Sequence, residues 1–277
     1  MGSNTEHKAR KRFGQNFLHD QNIIDKIIHA INPKLTQNII EIGPGQGALT
    51  YPLLSKIGQL NAVEIDRDLI QILNQQSAEY GELTIHEGDA LKFDFQTLNR
   101  TLNDTDSDKV SGGNKLRLVG NLPYNISTPI IFHLLSYIHI IDDMHFMLQK
   151  EVVQRMAAEP STKTYGRLSV MLQWYCDVDY LFDIPASAFN PPPKVVSSLV
   201  RLRPKQKQMA ELNDSDQFAR LVNKAFQMRR KTLRNILKNH IKAEEIQALG
   251  ISPTARPETL SLTDFALLSN AIDSQIT

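Results

Sequence analysis

A single cysteine, Cys176, stands in 277 residues. One thiol closes no internal disulfide and builds no cysteine zinc site, and it suits a reducing cytosol. The eight histidines show no HExxH or other metal-ligand spacing, so no metal site is expected. No apolar run is long enough to cross a bilayer, so no membrane partner is expected, and the opening "MGSNTEHKARKRFGQNFLHD" lacks the apolar core of a secretory leader. "MGSNTE" fits a myristoylation pattern only as weakly as chance allows. A net charge of +1 gives no strong overall field, so affinity for a polyanion must come from where the charges lie. With 41% hydrophobic and 22% charged residues, the composition is that of a folded cytoplasmic protein, long enough for one large domain and a smaller one.

Apolar runs of strand length alternate with helical patterns from residue 38 to about 150. Strands are expected at 38–43, 59–66, 83–89, 115–120 and 143–149, with helices such as "ALTYPLLSK" and "RDLIQILNQQSAE" between them. That alternation predicts an α/β fold with a doubly wound, Rossmann-like sheet. "DVDYLFDIP", "FNPPPKV" and "VSSLVRLRP" then predict two strands around a tight Pro-rich turn, an antiparallel hairpin at the sheet's edge. Residues 205–216 look like a linker, and only helical patterns follow. The expected domains are 1–208, the catalytic sheet, and 209–277, a small all-helical domain. Residues 99–115 are polar and rich in Gly, Ser and Asp, and read as a surface loop.

"EIGPGQGALT" joins the first strand to the first sheet-covering helix, with Gly43, Gly45 and Gly47 at alternate positions. Glycine lets the backbone turn tightly and lie close to a ligand. The spacing is not the G-x-G-x-x-G of dinucleotide sites, which counts against a nicotinamide dehydrogenase. Glu64 follows Gly43 by 21 residues, where a carboxylate can accept ribose hydroxyls, and the third strand is expected to end at Asp89. A lone strand-end acid is usually just a surface group. Three successive units ending in G-x-G-x-G, Glu and Asp instead describe a crevice for a nucleoside with a non-phosphate tail, and S-adenosylmethionine is the candidate.

The fourth strand runs into Asn121-Leu122-Pro123-Tyr124. A strand-terminating turn would use Asn-x-Pro as well. Beside a methyl donor, however, the combination has a chemical reading. An exocyclic adenine amine is a poor nucleophile because its lone pair is delocalised. The amide oxygen of Asn121 and the carbonyl of Leu122 could both accept from that amine, localise the lone pair and aim it. Pro123 fixes the backbone, Tyr124 offers a face for the base, and alignment supplies much of the acceleration.

"QNFL" (15–18), "EIGPGQGALT", "VEID", "GDA", "NLPYNIST" and "FNPPPKV" stand in the order found in ribosomal RNA adenine-N6 dimethyltransferases, which the chain resembles over nearly its whole length. It most resembles the bacterial small-subunit branch, and "NLPYNIST" with the triple proline separates it from the 23S resistance-type branch. The resemblance implies a methyltransferase that uses S-adenosylmethionine to convert two adjacent adenines near the 3′ end of 16S rRNA to N6,N6-dimethyladenine, on an immature 30S subunit and as a monomer. It implies that Asn16 and Leu18 hold the cofactor's methionine part with Gly43 and Gly45 beneath. Glu64 takes the ribose, Asp89 the adenine amine, and Asn121 lies between cofactor and target. Phe189 is implied to close over the flipped base opposite Tyr124. A non-catalytic assembly factor of the same fold is the rival from another class, and the intact Asn121–Tyr124 motif argues against it.

From Gln217 to Ala243 there are eight basic residues and no acidic one. On a helical wheel Arg220, Lys224, Lys231, Arg234, Lys238 and Lys242 share one face and apolar residues the other. Arg229 falls on the apolar side, so a break is expected near Met228-Arg229-Arg230. Lys224, Arg229, Arg230, Lys231, Arg234 and Lys238 are the candidate RNA contacts, although a solvated face would look the same. A second patch, Lys8, Arg10, Lys11 and Arg12, precedes "FGQNFL".

Overall fold

Five apolar runs become five parallel strands. In the computed structural model, which describes residues 16–104, 114–207 and 209–272, the chain begins with β1 (Phe17–Leu18) and α1 (Gln21–Ile31). Then β2 (Asn38–Ile42), α2 (Thr50–Ile57), β3 (Gln59–Glu64), α3 (Arg67–Gln76), β4 (Glu82–Glu87), α4 (Phe95–Asp104), β5 (Leu116–Asn121), α5 (Ser127–Leu135) and β6 (Ile141–Gln149) alternate. Side chains set the helix starts: Asp20 accepts from the amides of Asn22 and Ile23 ahead of α1, and Asp66 accepts from that of Asp68 ahead of α3. Helices α6 (Lys150–Met156) and α7 (Arg167–Tyr175) lead to β7 (Cys176–Ile184), β8 (Phe189–Asn190) and β9 (Ser197–Pro204).

The sheet order is β4-β3-β2-β5-β6-β9-β7. The chain winds outward from β2 to β4, then returns to lay β5 against the other side of β2, so the winding reverses between β2 and β5. Every residue of β5 but Asn121 is buried, as a central strand covered on both faces requires. The antiparallel pair is present, with two differences from expectation. Strand β9 lies inside the sheet, antiparallel to β6, and β7 takes the edge. The connection between β7 and β9 is also no tight turn. It includes β8, which pairs with β1 so that Leu18 faces Phe189 and Phe17 faces Asn190.

One polar network interrupts the apolar core near the start of β5. Arg117 donates from Nε and Nη2 to the two carboxylate oxygens of Asp143 at 2.9 and 2.8 Å, from Nη1 to Gln37 Oε1 at 2.7 Å, and from Nη2 to the Ile31 carbonyl at 2.8 Å. Burial works to raise the Asp143 pKa, but His145, 3.6 Å away, and the guanidinium outweigh it and hold the carboxyl at about 2.

The residues group into two compact units. One is the chain up to Val153 with Asp179–Pro204; the other is Gln154–Val178 with the chain from Lys205 on. A single break near 208 is therefore too simple, because residues 154–178 join the later unit. Sequence periodicity marked α7 as helical but carried no sign of its partner. That partner is α8 (Ser215–Gln227): Trp174 lies on Phe218 with ring centroids 4.8 Å apart, and the Tyr165 hydroxyl donates to the Leu260 carbonyl. Helices α9 (Leu233–Ile236), α10 (Ala243–Ala248) and α11 (Leu262–Ala271) complete this unit, which is helical as expected. The expected loop at 99–115 is helical up to Asp104, and residues 105–113 lie outside the described residues.

Candidate active site

Ligand crevices of wound α/β sheets form where the winding reverses. Here that point is the end of β2 and β5, and the sequence puts its two least ordinary stretches there. After Ile42 the loop passes through Gly43, Gly45 and Gly47 with φ of 68°, 60° and 88°, values that a side chain would strain. A Cβ at Gly43 would meet nothing within 4 Å, so the loop backbone there borders open space. Gly120 answers a different need. A Cβ there would stand 2.4 Å from the Ile42 carbonyl oxygen, so only glycine lets β5 lie this close to β2 and bring Asn121 beside the loop.

A cavity of about 290 Å³ opens at this point. Its walls are Asn16–Leu18, the glycine loop, Glu64 and Ile65, Gly88–Leu91 and Asn121–Ile126. Nine of the proposed site residues thus share one cavity: Asn16, Leu18, Gly43, Gly45, Glu64, Asp89, Asn121, Leu122 and Tyr124. Glu64 ends β3, and its Oε1 accepts from the amides of Ile65 at 2.8 Å and Asp66 at 2.9 Å, while Oε2 meets the Gly45 amide at 3.4 Å. Burial raises its pKa and these three amides oppose the rise. Strand β4 stops at Glu87, so Asp89 sits in the following loop and not at the strand's end; its Oδ1 accepts from the Leu91 amide at 3.0 Å.

Asn121 is the last residue of β5 and donates from Nδ2 to the main-chain carbonyl of Asn16 at 2.9 Å. A carbonyl only accepts, so this bond fixes which end of the amide faces Asn16 and turns Oδ1 the other way. Tyr124 is half-buried, and its hydroxyl lies 2.6 Å from Ser197 Oγ. Burial raises the phenol's pKa, with the Ser197 bond opposing.

Phe189 is the exception. It is 1% exposed, pairs with Leu18 across β1 and β8, and belongs to the apolar core with Ile184 and Leu199. Its ring offers no face to a base in this geometry. "FNPPPKV" lies in the connection between β7 and β9, but an aromatic in a two-residue strand beside an apolar core is drawn into that core.

Among the cavity residues that the sequence reading did not single out, Glu41 and Ile65 stand apart. Glu41 is buried within "NIIEI", receives a 2.6 Å hydrogen bond from Thr50 Oγ1, and is pushed up to about 7 by its burial. A carboxylate inside an otherwise apolar strand was the available signal. Ile65 is 49% exposed although large and apolar, and it lines the cavity beside Glu64. An isoleucine directly after a strand-end acid was its signal.

The later unit carries the candidate RNA contacts. Helix α8 ends at Gln227 and α9 spans only Leu233–Ile236, so the break near Met228 is present and the basic residues form no continuous helical stripe. The apolar half does hold: Phe218, Leu221, Val222, Ala225, Leu233 and Ile236 are all buried. Arg230, Lys231, Arg234 and Lys238 are exposed. Lys224 is half-buried with Nζ 3.0 Å from His240 Nε2. Arg229 stays partly exposed but is engaged by protein, donating to the Lys163 carbonyl at 3.1 Å and lying 3.8 Å from the Glu258 carboxylate. The patch at Lys8–Arg12 lies outside the described residues. Among the described residues no cluster of His, Cys, Asp and Glu is placed to hold a metal ion, and no helix is long and apolar enough to cross a membrane.

A seven-stranded, doubly wound sheet with a glycine loop and an Asn-Leu-Pro-Tyr turn at its reversal point defines a Rossmann-like methyltransferase. The model of the family "Ribosomal RNA adenine dimethylase" matches residues 6–274. A "Ribosomal RNA small subunit methyltransferase A" of Pseudomonas fluorescens is 52% identical over 99% of this chain and 97% of that protein, and one of Pseudomonas aeruginosa is 50% identical over 96% of each. A dimethyladenosine transferase from Plasmodium falciparum has a similar structure, with a TM-score of 0.74 and 28% identity over 91% of this chain and 95% of that one. The 23S rRNA methyltransferase ErmE shares the fold, with a TM-score of 0.67 and 21% identity over 94% of this chain and all of that one. The chain belongs to the ribosomal RNA adenine dimethylase family, and it is an rRNA methyltransferase.

Proposed function

We propose that the chain transfers methyl groups from S-adenosylmethionine to N6 of two adjacent adenines near the 3′ end of 16S rRNA, on an immature 30S subunit in the cytoplasm. The observation that carries this reading is the Asn121 amide at the cavity wall, held through Nδ2 by the Asn16 carbonyl so that its oxygen is left to accept. The cavity's chemistry fits the cofactor. It combines a carboxylate for ribose hydroxyls, open space over Gly43, and the apolar Ile65 and Leu91 near Asp89 for an adenine ring. Asn16 and Leu18 would hold the methionine part, Gly43 and Gly45 would lie beneath it, and Glu64 and Asp89 would take the ribose and the adenine amine. When bound, S-adenosylmethionine supplies an electrophilic methyl group on a sulfonium.

The chain's own residues then act on the target base. Asn121 Oδ1 and the Leu122 carbonyl accept from its exocyclic amine, restore lone-pair density to the nitrogen, and hold it in line. Tyr124 stacks on the extruded ring, which has left its own stack to reach the cavity. Arg230, Lys231, Arg234 and Lys238 bind phosphates, with Lys224 at their margin, and Arg229 serves the unit's internal structure more than RNA.

Small-subunit specificity is favoured by the name and the half-identical sequences of the bacterial relatives. The test is incubation with labelled S-adenosylmethionine and unmethylated 30S or 50S particles, followed by primer extension on 16S and 23S rRNA. Two adjacent stops near the 16S 3′ end are expected. Label confined to 23S rRNA, or none on either, would overturn the proposal.

A further inference from the structure

Strand β9 begins "SSLVRL", and its first two residues are polar yet wholly buried. A buried hydroxyl needs a partner, and each has a different one. Ser198 Oγ donates to Asp183 at 2.6 Å, the carboxylate that also takes Lys150 Nζ at 2.6 Å. Ser197 Oγ meets the Tyr124 hydroxyl at 2.6 Å, although the two residues are 73 positions apart in sequence. Ser198 ties its strand to the neighbouring β7. Ser197 reaches across to the turn that carries the reactive amide.

That turn controls Tyr124 only as far as its Cβ. Pro123 fixes the backbone before it, and the Pro123 carbonyl accepts from the Ile126 amide at 3.1 Å, which closes the turn. The ring remains free to rotate about two side-chain torsions. A ring that lines a cavity and must present one face to a base gains most from being fixed before the base arrives. The hydroxyl is the only polar atom of the ring, and the structure gives it a fully buried partner on a strand held in register, with Ser197 opposite Gln149 of β6.

We infer that Ser197 is a positioning residue for methyl transfer: its hydroxyl anchors Tyr124 so that the phenol ring is already set to receive the target adenine. The inference rests on the stacking role given to Tyr124 above. It assigns to β9, and so to the antiparallel pair that joins the parallel sheet, a part in the chemistry. Ser197 touches neither base nor cofactor and acts wholly through Tyr124.

The test is a cycle of Ser197→Ala, Tyr124→Phe and the double variant, measured as single-turnover rates on unmethylated 30S particles with saturating S-adenosylmethionine. Each single change removes the same bond and keeps the ring. Each should slow transfer by roughly tenfold, about the net worth of one neutral hydrogen bond, and the double should be no slower than either single. KM for the particle should stay close to wild type and the thermal midpoint should fall by only a few degrees, leaving the enzyme fully folded at the assay temperature, so the lower rate is not a loss of folded protein. Ser197→Thr, which keeps a hydroxyl, should recover most of the rate. Losses that multiply in the double variant, or a wild-type rate for Tyr124→Phe, would overturn the inference, and the second outcome does so even if Ser197→Ala fails to fold. Tyr124→Ala separates the two levels. If it is far slower than wild type while Tyr124→Phe is not, only the anchoring fails; if Tyr124→Ala keeps the wild-type rate, the stacking role itself fails.

Discussion

Strand β5 carries a polar group near each end, and the two are built in opposite ways. At Arg117 the guanidinium spends its donors on protein: both oxygens of Asp143, the amide oxygen of Gln37 and the carbonyl of Ile31. At Asn121 the amide is held from one side, by Asn16, and its other side borders the cavity. Four residues apart on one strand, one polar group is enclosed by protein partners and the other is fastened on one side and open to the cavity on the other. Partners drawn wholly from the protein serve architecture; an amide set half against a cavity keeps an acceptor for a ligand.

The comparison can be broken at either end. Arg117→Ala should cause the largest change. It leaves the largely buried Asp143 carboxylate with only His145 beside it, at a cost of about 3 kcal/mol in urea unfolding, while the folded fraction keeps its transfer rate. Asn121→Ala should do the reverse. Stability should stay within about 0.5 kcal/mol, and single-turnover transfer should fall by roughly two to three orders of magnitude. If both variants lose the same property, the distinction between the two ends is wrong.

Glu41 tests an intermediate case, a buried carboxyl with one protein partner that also lines the cavity. Its pKa stands at about 7 in the fold against an ordinary 4.5. Between those values the folded chain keeps a proton that the unfolded chain has lost. Its contribution is therefore complete below 4.5 and disappears as pH rises to about 7. Glu41→Gln should flatten the fall in stability between these pH values by about 3 kcal/mol, measured as urea midpoints across the range. An unchanged pH profile would show that Glu41 is ionised in the fold. Glu64→Ala should weaken S-adenosylmethionine binding by about 1.5–3 kcal/mol in calorimetry, with RNA affinity preserved, and unaltered cofactor affinity would remove Glu64 from the site. The smallest effect belongs to the exposed charges. Lys231→Ala with Lys238→Ala should lower RNA affinity several-fold at moderate salt and reduce the salt slope by about two charges' worth; an unaltered slope would make these lysines solvated surface.

The five parallel strands were legible because apolar and β-branched residues recur at strand length between helical patterns, even in β4, where polar residues alternate with them, and the glycine loop and Asn121 were legible because few structures need those residues together. What stayed hidden depended on partners distant in sequence. Nothing in "GRLSVMLQWY" tells that Trp174 will lie on Phe218, and nothing in "FNPPPKV" tells that Phe189 will face the core opposite Leu18. The basic stripe failed for a local reason. A helical wheel presumes an unbroken helix, and α8 ends at Gln227 near the expected break, so the basic residues on either side of it do not line one continuous face, although Leu233 and Ile236 beyond it are still buried. Strand ends drifted by a residue or two, which moved Asp89 from a strand into a loop without removing it from the cavity.

The pairing of β1 with β8 also sets an order in time. Phe189, the partner of Leu18, lies some 170 residues further along the chain, an interval of roughly 10–30 s at ordinary elongation rates. Until then β1 has no strand to pair with, and Asn16, whose carbonyl accepts from Asn121, directly precedes it. The segment that holds the Asn121 amide is thus synthesised well before the strand that pairs beside it.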